Sequence, residues 1–218
     1  MADLVWTTVA ERLTTGLAGL DAQLGGGVPV GSVHVVIAEP MNALELLSYH
    51  LAAGGSLLAG GAAVFTTDLE DAEVRKGVEL AGGRPDRIHV VHLPYKGQWA
   101  IPDAKPGLRY VVDNFSPVIQ QAGWSDAFQQ LQRLKRQVRA GGDNLFISVT
   151  GALHLEVERT MLKSWADGVL ELGFDRQGFG LYPYMKVVKM RGVPDSARFM
   201  LFRETDRGLF MESTRRVN

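Results

Sequence analysis

The chain contains no cysteine, and this absence excludes several kinds of chemistry. Disulfide bonds, iron–sulfur clusters, thiolate zinc sites and cysteine nucleophiles all require this residue. Long apolar runs are also missing, because stretches such as residues 33–38 are far below the ~20 residues that span a bilayer. The first residues carry the acidic Asp3 and lack the features of a secretory signal. We therefore expect a soluble, cytoplasmic protein.

An excess of charge of one sign is missing as well. The 23 Lys and Arg residues nearly balance the 24 Asp and Glu residues, for a formal net charge of -1. This balance argues against a protein whose main task is to hold nucleic acid through bulk charge, although it allows a local basic patch. A length of 218 residues fits a single domain over residues 1–218, with its core at about 13–213.

Short apolar runs, each bounded by Gly, Pro, Asp or Asn, predict buried strands at residues 33–37, 62–67, 88–93, 109–113 and 145–149. Their continuous rather than alternating apolar character suits a sheet that is covered on both faces. Helical patterns at residues 43–53, 71–81 and 124–140 lie between these strands. The alternation predicts a three-layer α/β fold around a mostly parallel sheet.

The last quarter of the chain has a different pattern. Strands are predicted at residues 168–174, 181–190, 197–202 and 209–213, and turn signals rather than helices separate them. We expect an antiparallel meander attached to the parallel sheet. One long loop, at residues 94–107, contains Tyr95, Lys96 and Trp99, and it is either a connector over the sheet edge or a surface that faces a partner or ligand.

Six short segments occur in a fixed order between about Leu13 and Met211. They are TGLAGLD at 15–21, LGGGVPVGS at 24–32, VVDNFS at 111–116, WADGVLEL at 165–172, KMRG at 189–192 and GLFM at 208–211. This ordered set resembles the KaiC-type and RadA-type ATPases of the RecA superfamily. The resemblance implies a RecA-like fold of the P-loop NTPase class, an archaeal-type signalling context, and assembly in rings or pairs with another copy or a paralogous RecA-fold subunit.

The phosphate-binding loop of that family, GxxxxGK[ST], departs from its pattern in this chain. Its first Gly falls on Ala38, its second on Ala43, its Lys on Leu44 and its Ser or Thr on Glu45. Lys and the hydroxyl normally reach the phosphates and magnesium, and neither is present at its position. We therefore expect a degenerate loop that does not support ordinary Mg-ATP hydrolysis. Its residues are Ala38, Glu39, Pro40, Met41, Asn42, Ala43, Leu44 and Glu45.

Two further features of this loop oppose phosphate binding. Pro40 removes an amide donor, and the carboxylates of Glu39 and Glu45 would face a polyphosphate with like charge. We favour the interpretation that the loop has become a structural cap. Glu45 then satisfies the positive end of the helix, and Leu44 and Met41 pack where phosphate lies in the family.

Two acidic positions correspond to catalytic positions of the family. Asp113 ends a predicted strand where the family places its magnesium-associated carboxylate, and Glu45 and Asp113 could in principle pair around a cation. The alternative is that Asp113 and Ser116 cap the next turn. Glu70 is the possible equivalent of the glutamate that orients the attacking water, or else belongs to an acidic helix N-terminus with Asp68.

Lys189 and Arg191 match a pair that, in hexameric relatives, reaches the γ-phosphate of a neighbouring subunit. Both side chains lie on one face of a predicted strand. They are either such a finger in trans or part of a solvated edge strand, where Lys protects against aggregation.

A basic cluster lies on the predicted helix at 124–140 and contains Arg133, Lys135, Arg136 and Arg139. It is either a solvated helix face or, because RadA-like relatives bind single-stranded DNA, a nucleic-acid surface to which residues of the 94–107 loop add stacking. The five histidines show no helical i, i+4 ligand pair, so we expect no metal site.

These observations favour a degenerate KaiC-like or RadA-like protein that acts as a regulatory or scaffolding subunit through protein contacts. We expect no cofactor. One alternative is a weak or non-standard nucleotide-binding ATPase that uses ATP and magnesium, and another is a module that binds single-stranded DNA.

Overall fold

A computed structural model describes residues 11–41, 43–93, 107–177, 180–193 and 198–212. Asn42 and the loop residues Tyr95, Lys96 and Trp99 lie outside the described residues. The described α-helices are α1 (Ala18–Gln23), α2 (Ala43–Ser56), α3 (Asp71–Leu80), α4 (Ser116–Ala122), α5 (Trp124–Gly141) and α6 (Glu156–Trp165). The described strands are β1 (Arg12–Leu13), β2 (Val28–Pro29), β3 (Val33–Ala38), β4 (Ala62–Thr66), β5 (Ile88–His92), β6 (Arg109–Val112), β7 (Asn144–Thr150), β8 (Gly168–Gln177), β9 (Gly180–Met190), β10 (Arg198–Thr205) and β11 (Gly208–Met211).

One nine-stranded sheet forms the centre of the molecule, with the order β11-β10-β9-β8-β3-β7-β6-β4-β5. The pairs among β3 to β8 are parallel, and β9, β10 and β11 continue the sheet with antiparallel pairs. Strands β1 and β2 form a separate antiparallel pair. The mostly parallel sheet and its antiparallel extension confirm the prediction from the sequence.

Strand β8 is a correction to one detail of that prediction. The segment at 168–174 was expected to belong to the antiparallel meander, whereas β8 pairs in parallel with β3 and antiparallel with β9. The reason is α6, which was not predicted and which carries the chain back across the sheet before β8 begins. The meander therefore starts at the β8–β9 hairpin.

Two apolar cores cover the two faces of the sheet. On one face, Leu20 of α1, Leu47 of α2 and Val74 of α3 pack with residues such as Val36 of β3. On the other face, Ile119, Leu131 and Leu162 of α4, α5 and α6 pack with residues such as Val35 of β3. Neighbouring residues of β3 thus enter opposite cores, which explains why the buried strands are apolar throughout.

The carboxyl ends of β3, β6, β7 and β8 lie at the same edge of the sheet, because these strands are parallel. We call this edge the carboxyl edge and the opposite one the amino edge. Ligands of open parallel sheets bind beyond the carboxyl ends of the strands, so the carboxyl edge is the first place to search for a site. Within the described ranges, no helix is long and apolar enough to cross a membrane.

Candidate functional site

The turn after β3 begins the candidate site. The Glu39 N–H donates to the carbonyl of Leu172 at 3.0 Å, which holds the turn against β8. Ala38 and Ala43, at the positions of the family's two glycines, are both buried. The Leu44 N–H donates to the Met41 carbonyl at 3.3 Å, so this amide already has a partner within the chain.

Leu44 and Glu45 have clear contacts at the start of α2. The Leu44 side chain is only 8% exposed and belongs to the core on the α2 face, and Met41 packs against the same core. Glu45 lies in the first turn of α2, and its Oε1 accepts a hydrogen bond from the Tyr49 hydroxyl at 2.7 Å. Burial and this hydrogen bond raise the pKa of Tyr49 well above its ordinary value, so the hydroxyl remains a donor.

Asp113 follows β6 and is 9% exposed. Burial raises the pKa of its carboxyl to about 6, a hydrogen bond from Ser48 of α2 opposes this rise, and the carboxylates of Glu45, Asp68 and Glu73 reinforce it. The negative charges of three further side chains therefore act on the Asp113 carboxyl. A polyphosphate would meet negative charge here rather than the positive charge that it requires.

The expectation that Asp113 and Ser116 cap the next turn is only partly right. Asn114 Oδ1, and not Asp113, accepts the Ser116 N–H at 3.1 Å. The Ser116 hydroxyl accepts the Thr150 N–H at 2.8 Å and lies 2.8 Å from His154 Nε2. Because Asn114 Oδ1 accepts the Ser116 N–H, the Asp113 carboxyl does not cap this turn. Its hydrogen-bond partner is the Ser48 hydroxyl.

Ser116 and His154 form a buried pair that no sequence pattern connects. Burial lowers the pKa of His154, so its neutral ring can accept the Ser116 hydroxyl proton through Nε2. Glu158 Oε2 lies 3.7 Å from the other ring nitrogen. Nucleophilic hydroxyl groups are arranged in this way in hydrolases, but Ser116 is completely buried, so the pair joins the segment between β7 and α6 to the start of α4 rather than facing a substrate.

Glu70 immediately precedes α3 and is exposed. Its side chain makes no capping hydrogen bond, although its carbonyl accepts the Val74 N–H at 3.0 Å. The preceding turn is held instead by Thr66, whose hydroxyl accepts the N–H groups of Asp68 and Leu69. Glu70 thus lies near the carboxyl edge without a fixed orientation toward Asp113.

Lys189 and Arg191 lie at the amino edge, where each has a partner in its own chain. Lys189 Nζ donates to the carbonyls of Lys163, Ser164 and Ala166 at the end of α6, at 3.1, 3.3 and 2.6 Å. Arg191 Nη1 lies 3.3 Å from Asp167 Oδ1. The edge-strand interpretation of Lys189 is wrong, because β9 lies between β10 and β8 in the sheet and the Lys189 amino group is bound by carbonyls of its own chain.

The basic cluster of α5 divides into two pairs. Lys135 donates to the Trp165 carbonyl and lies over the Trp165 ring, 4.9 Å from its centroid, while Arg139 pairs with Asp167 at 2.8 Å. Arg133 and Arg136 are exposed. Of the four basic residues of this cluster, only Arg133 and Arg136 are therefore available to form a solvated helix face or to contact a nucleic acid.

A cleft of about 340 Å³ opens at the carboxyl edge beside the turn after β3. Its apolar floor is formed by Ile37, Ala38 and Leu172, and α6 and β9 supply its polar walls. The sequence did not reveal it, because its residues are far apart along the chain. Its remaining lining residues are Glu39, Gly151, Ala152, Glu156, Arg159, Lys163, Glu171 and Tyr184.

Comparisons with known proteins agree with this architecture. A family model described as a family of unknown function (DUF7125) matches residues 12–199. The crystal structure of a KaiC-like protein from the hyperthermophilic archaeon Pyrococcus horikoshii OT3 superposes with a TM-score of 0.72 at 18% sequence identity, covering 94% of this chain and 100% of that one. This similarity confirms the RecA-like fold that the sequence predicted. No curated protein matches the chain.

Among the residues that the structure describes, no group of three or more His, Asp or Glu residues is placed to hold a metal ion.

Proposed function

The chain belongs to the DUF7125 family of unknown function, and we propose that it is a KaiC-like protein of RecA-like fold that does not hydrolyse ATP and acts in the cytoplasm as a regulatory or scaffolding subunit. The observation that carries this proposal is the packing of the 38–45 turn. The position expected to hold the phosphate-binding Lys is occupied by Leu44, which lies in the apolar core.

Electrostatics supports the same conclusion. Phosphoryl transfer depends on positive groups and amides that neutralise the charge of the phosphates. Here Glu45 accepts a hydrogen bond from the Tyr49 hydroxyl, and burial and neighbouring carboxylates raise the pKa of Asp113 to about 6. Neither side chain supplies the positive charge that the phosphates require.

Exposed apolar side chains support a role in protein contacts. Leu155 and Val157, at the start of α6, are 67% and 61% exposed, and Leu153 and Met161 are exposed near them. Val157 and Met161 are four residues apart and lie on one face of α6. Large apolar groups gathered at one place on a surface are typical of interaction sites.

The absence of hydrolysis is tested by comparing ATP turnover of the purified chain and of the Asp113→Asn variant in the presence of magnesium. We expect equal phosphate release from both, at the level of the buffer. Turnover that Asp113→Asn abolishes would contradict the proposal.

The contact role is tested by purifying the tagged chain from its native cells, with Val157→Glu/Met161→Glu as the comparison. A partner that co-purifies with the parent chain should be lost with this variant. Retention of the same partner by a folded variant would show that α6 is not the contact surface.

Nucleotide binding without the usual contacts is the second candidate, and one observation favours it. Asp113 occupies the end of β6, where the resemblance places a magnesium-associated carboxylate, and Ser48 provides a hydroxyl beside it. A nucleotide held through these groups would bind more weakly when Ser48→Ala removes the hydroxyl. Equal affinity of the two proteins for Mg-ATP would exclude this candidate.

A further inference from the structure

The cleft at the carboxyl edge has an unbalanced set of charged side chains. Its lining contains three carboxylates, Glu39, Glu156 and Glu171, and two cations, Arg159 and Lys163. Lys163 Nζ binds Glu171 Oε1 at 2.6 Å, and Arg159 pairs with Glu156 one turn away on α6. Within the described residues the Glu39 side chain is exposed and makes no hydrogen bond or ion pair, so its negative charge is open to a ligand that arrives from solvent.

The Glu39 carboxylate lies over Gly173 of β8. A Cβ atom built on Gly173 would lie 3.1 Å from Glu39 Oε1 and 2.8 Å from the Tyr184 hydroxyl. The absence of a side chain at this position therefore allows the carboxylate and the phenol to approach one another. The Glu39 N–H bond to Leu172 holds the backbone here, and the stacking of Tyr184 on Phe199, with centroids 4.7 Å apart, supports the aromatic wall.

The electrostatic potential at the Tyr184 hydroxyl is negative. Burial and the carboxylates of Glu171, Glu39 and Asp175 raise the pKa of this hydroxyl, so the phenol remains neutral. Lys186, which pairs with Glu171 across β8 and β9, does not line the cleft. A cation that enters would find a carboxylate and an aromatic ring together.

We propose that this cleft binds a small monocationic group, an amine or a guanidinium with a short apolar body, through Glu39 and Tyr184. The apolar body rests on Ile37, Ala38 and Leu172, and the ion pairs of α6 close the opposite wall. The cleft shares Ala38 and Glu39 with the 38–45 turn, and β8, β9, α6 and the residues after β7 supply most of the rest of its lining. The cation can be a free amine or the side chain of a Lys or Arg residue of a protein.

The test is a titration followed by amide NMR spectra of the intact chain. The probes are butylamine, N-acetyl-lysine methylamide and N-acetyl-arginine methylamide, with butanol as the uncharged control. We expect the amides of Gly151 and Gly173 to shift with at least one cationic probe and not with butanol. Glu39→Gln should weaken binding of that probe about fivefold to tenfold, as expected for a partly shielded ion pair.

Two further variants separate loss of the site from loss of folding. Gly173→Ala adds a methyl group where Glu39 and Tyr184 approach one another, and it should weaken binding without any change of charge. Glu79→Gln, on the exposed side of α3, makes the same change of charge outside the cleft and should leave binding unchanged. The spectra report directly whether each variant is folded.

Each outcome decides the proposal. Binding of butylamine alone supports a free amine, and binding of a lysine or arginine methylamide supports a protein side chain. Equal shifts with butanol, equal affinity of Glu39→Gln and the parent chain, or no shift of Gly151 and Gly173 with any cation would overturn it.

Discussion

The Tyr49 hydroxyl donates a hydrogen bond to Glu45 across 2.7 Å, one turn apart on α2. The resemblance to KaiC-type ATPases implies that Glu45 stands where those proteins carry the hydroxyl that binds magnesium, and here its carboxylate is engaged within its own helix. Leu44, beside it, is packed in the core. A turn that binds phosphate in other proteins of this fold is thus held together by its own side chains in this one.

The first prediction concerns that hydrogen bond. Tyr49→Phe removes the donor and leaves the partly buried Glu45 carboxylate unpaired, so unfolding free energy should fall by about 1 kcal/mol. Urea unfolding at pH 7 measures the change. Glu45→Gln is the matched control, because its amide oxygen still accepts from Tyr49, and it should cost less. If Glu45→Gln is the more destabilising of the two, the hydrogen bond is not the important contact.

Asp113 should make the protein more stable in mild acid than at neutral pH. Its folded pKa, about 6, lies above the ordinary value of 3.8, so protonation favours the folded state. This contribution is fully present below pH 3.8 and is lost as the pH rises through about 6. Asp113→Asn removes the charge, and its gain in unfolding free energy over the parent chain should be up to about 3 kcal/mol at pH 8.

The measurement for Asp113 is urea unfolding of both proteins between pH 4 and pH 8. The gain from Asp113→Asn should shrink as the pH falls, because the parent carboxyl becomes neutral as well. A gain that does not vary with pH would show that the carboxyl is not destabilised by burial and its neighbours.

His50 should have the opposite dependence on pH. Its Nε2 accepts the Leu209 N–H at 2.9 Å and so must be unprotonated, and burial lowers its pKa below 6.5. A lowered folded pKa means that the unfolded state binds the proton first, so this contribution is present above pH 6.5 and is lost in acid. Hydrogen exchange of the Leu209 amide at equal intrinsic rate should be faster at pH 5 than at pH 7. Unchanged protection would contradict this role of His50.

Lys189 should stabilise the end of α6. Its amino group donates to three carbonyls there, a favourable position for a cation at a helix C-terminus. Lys189→Met should lower unfolding free energy by about 1 kcal/mol in thermal or urea unfolding. Lys186→Met, on the same strand and without such contacts, is the control. If Lys189→Met leaves stability unchanged but alters ATP turnover of a mixture with an intact paralogue, Lys189 is a finger in trans instead.

The central sheet could be predicted from the sequence because its parallel strands are continuous apolar runs between turn residues. The helices α1, α4 and α6 were not predicted. Pro117 at the start of α4 was an available signal for a helix start. In α6, Val157 and Met161 are exposed and Leu162 is buried, so its apolar pattern does not mark an inward face.

Only the contiguous part of the candidate site could be predicted from the sequence. The eight residues of the 38–45 turn are contiguous, and the sequence located them together. The neighbours that give the edge its chemistry come from elsewhere: Ser48 beside Asp113, His154 beside Ser116, and Tyr184 beside Glu39. Each of these pairs depends on the order of strands in the sheet, which local sequence patterns do not specify.

Equilibrium binding of ATP and ADP to the freshly purified chain, measured by calorimetry with and without magnesium, tests the central claim most directly. We predict no heat of binding for either nucleotide up to about 1 mM, a concentration that corresponds to about 4 kcal/mol of binding free energy. Saturable binding in the micromolar range, strengthened by magnesium and lost in Asp113→Asn, would contradict the account.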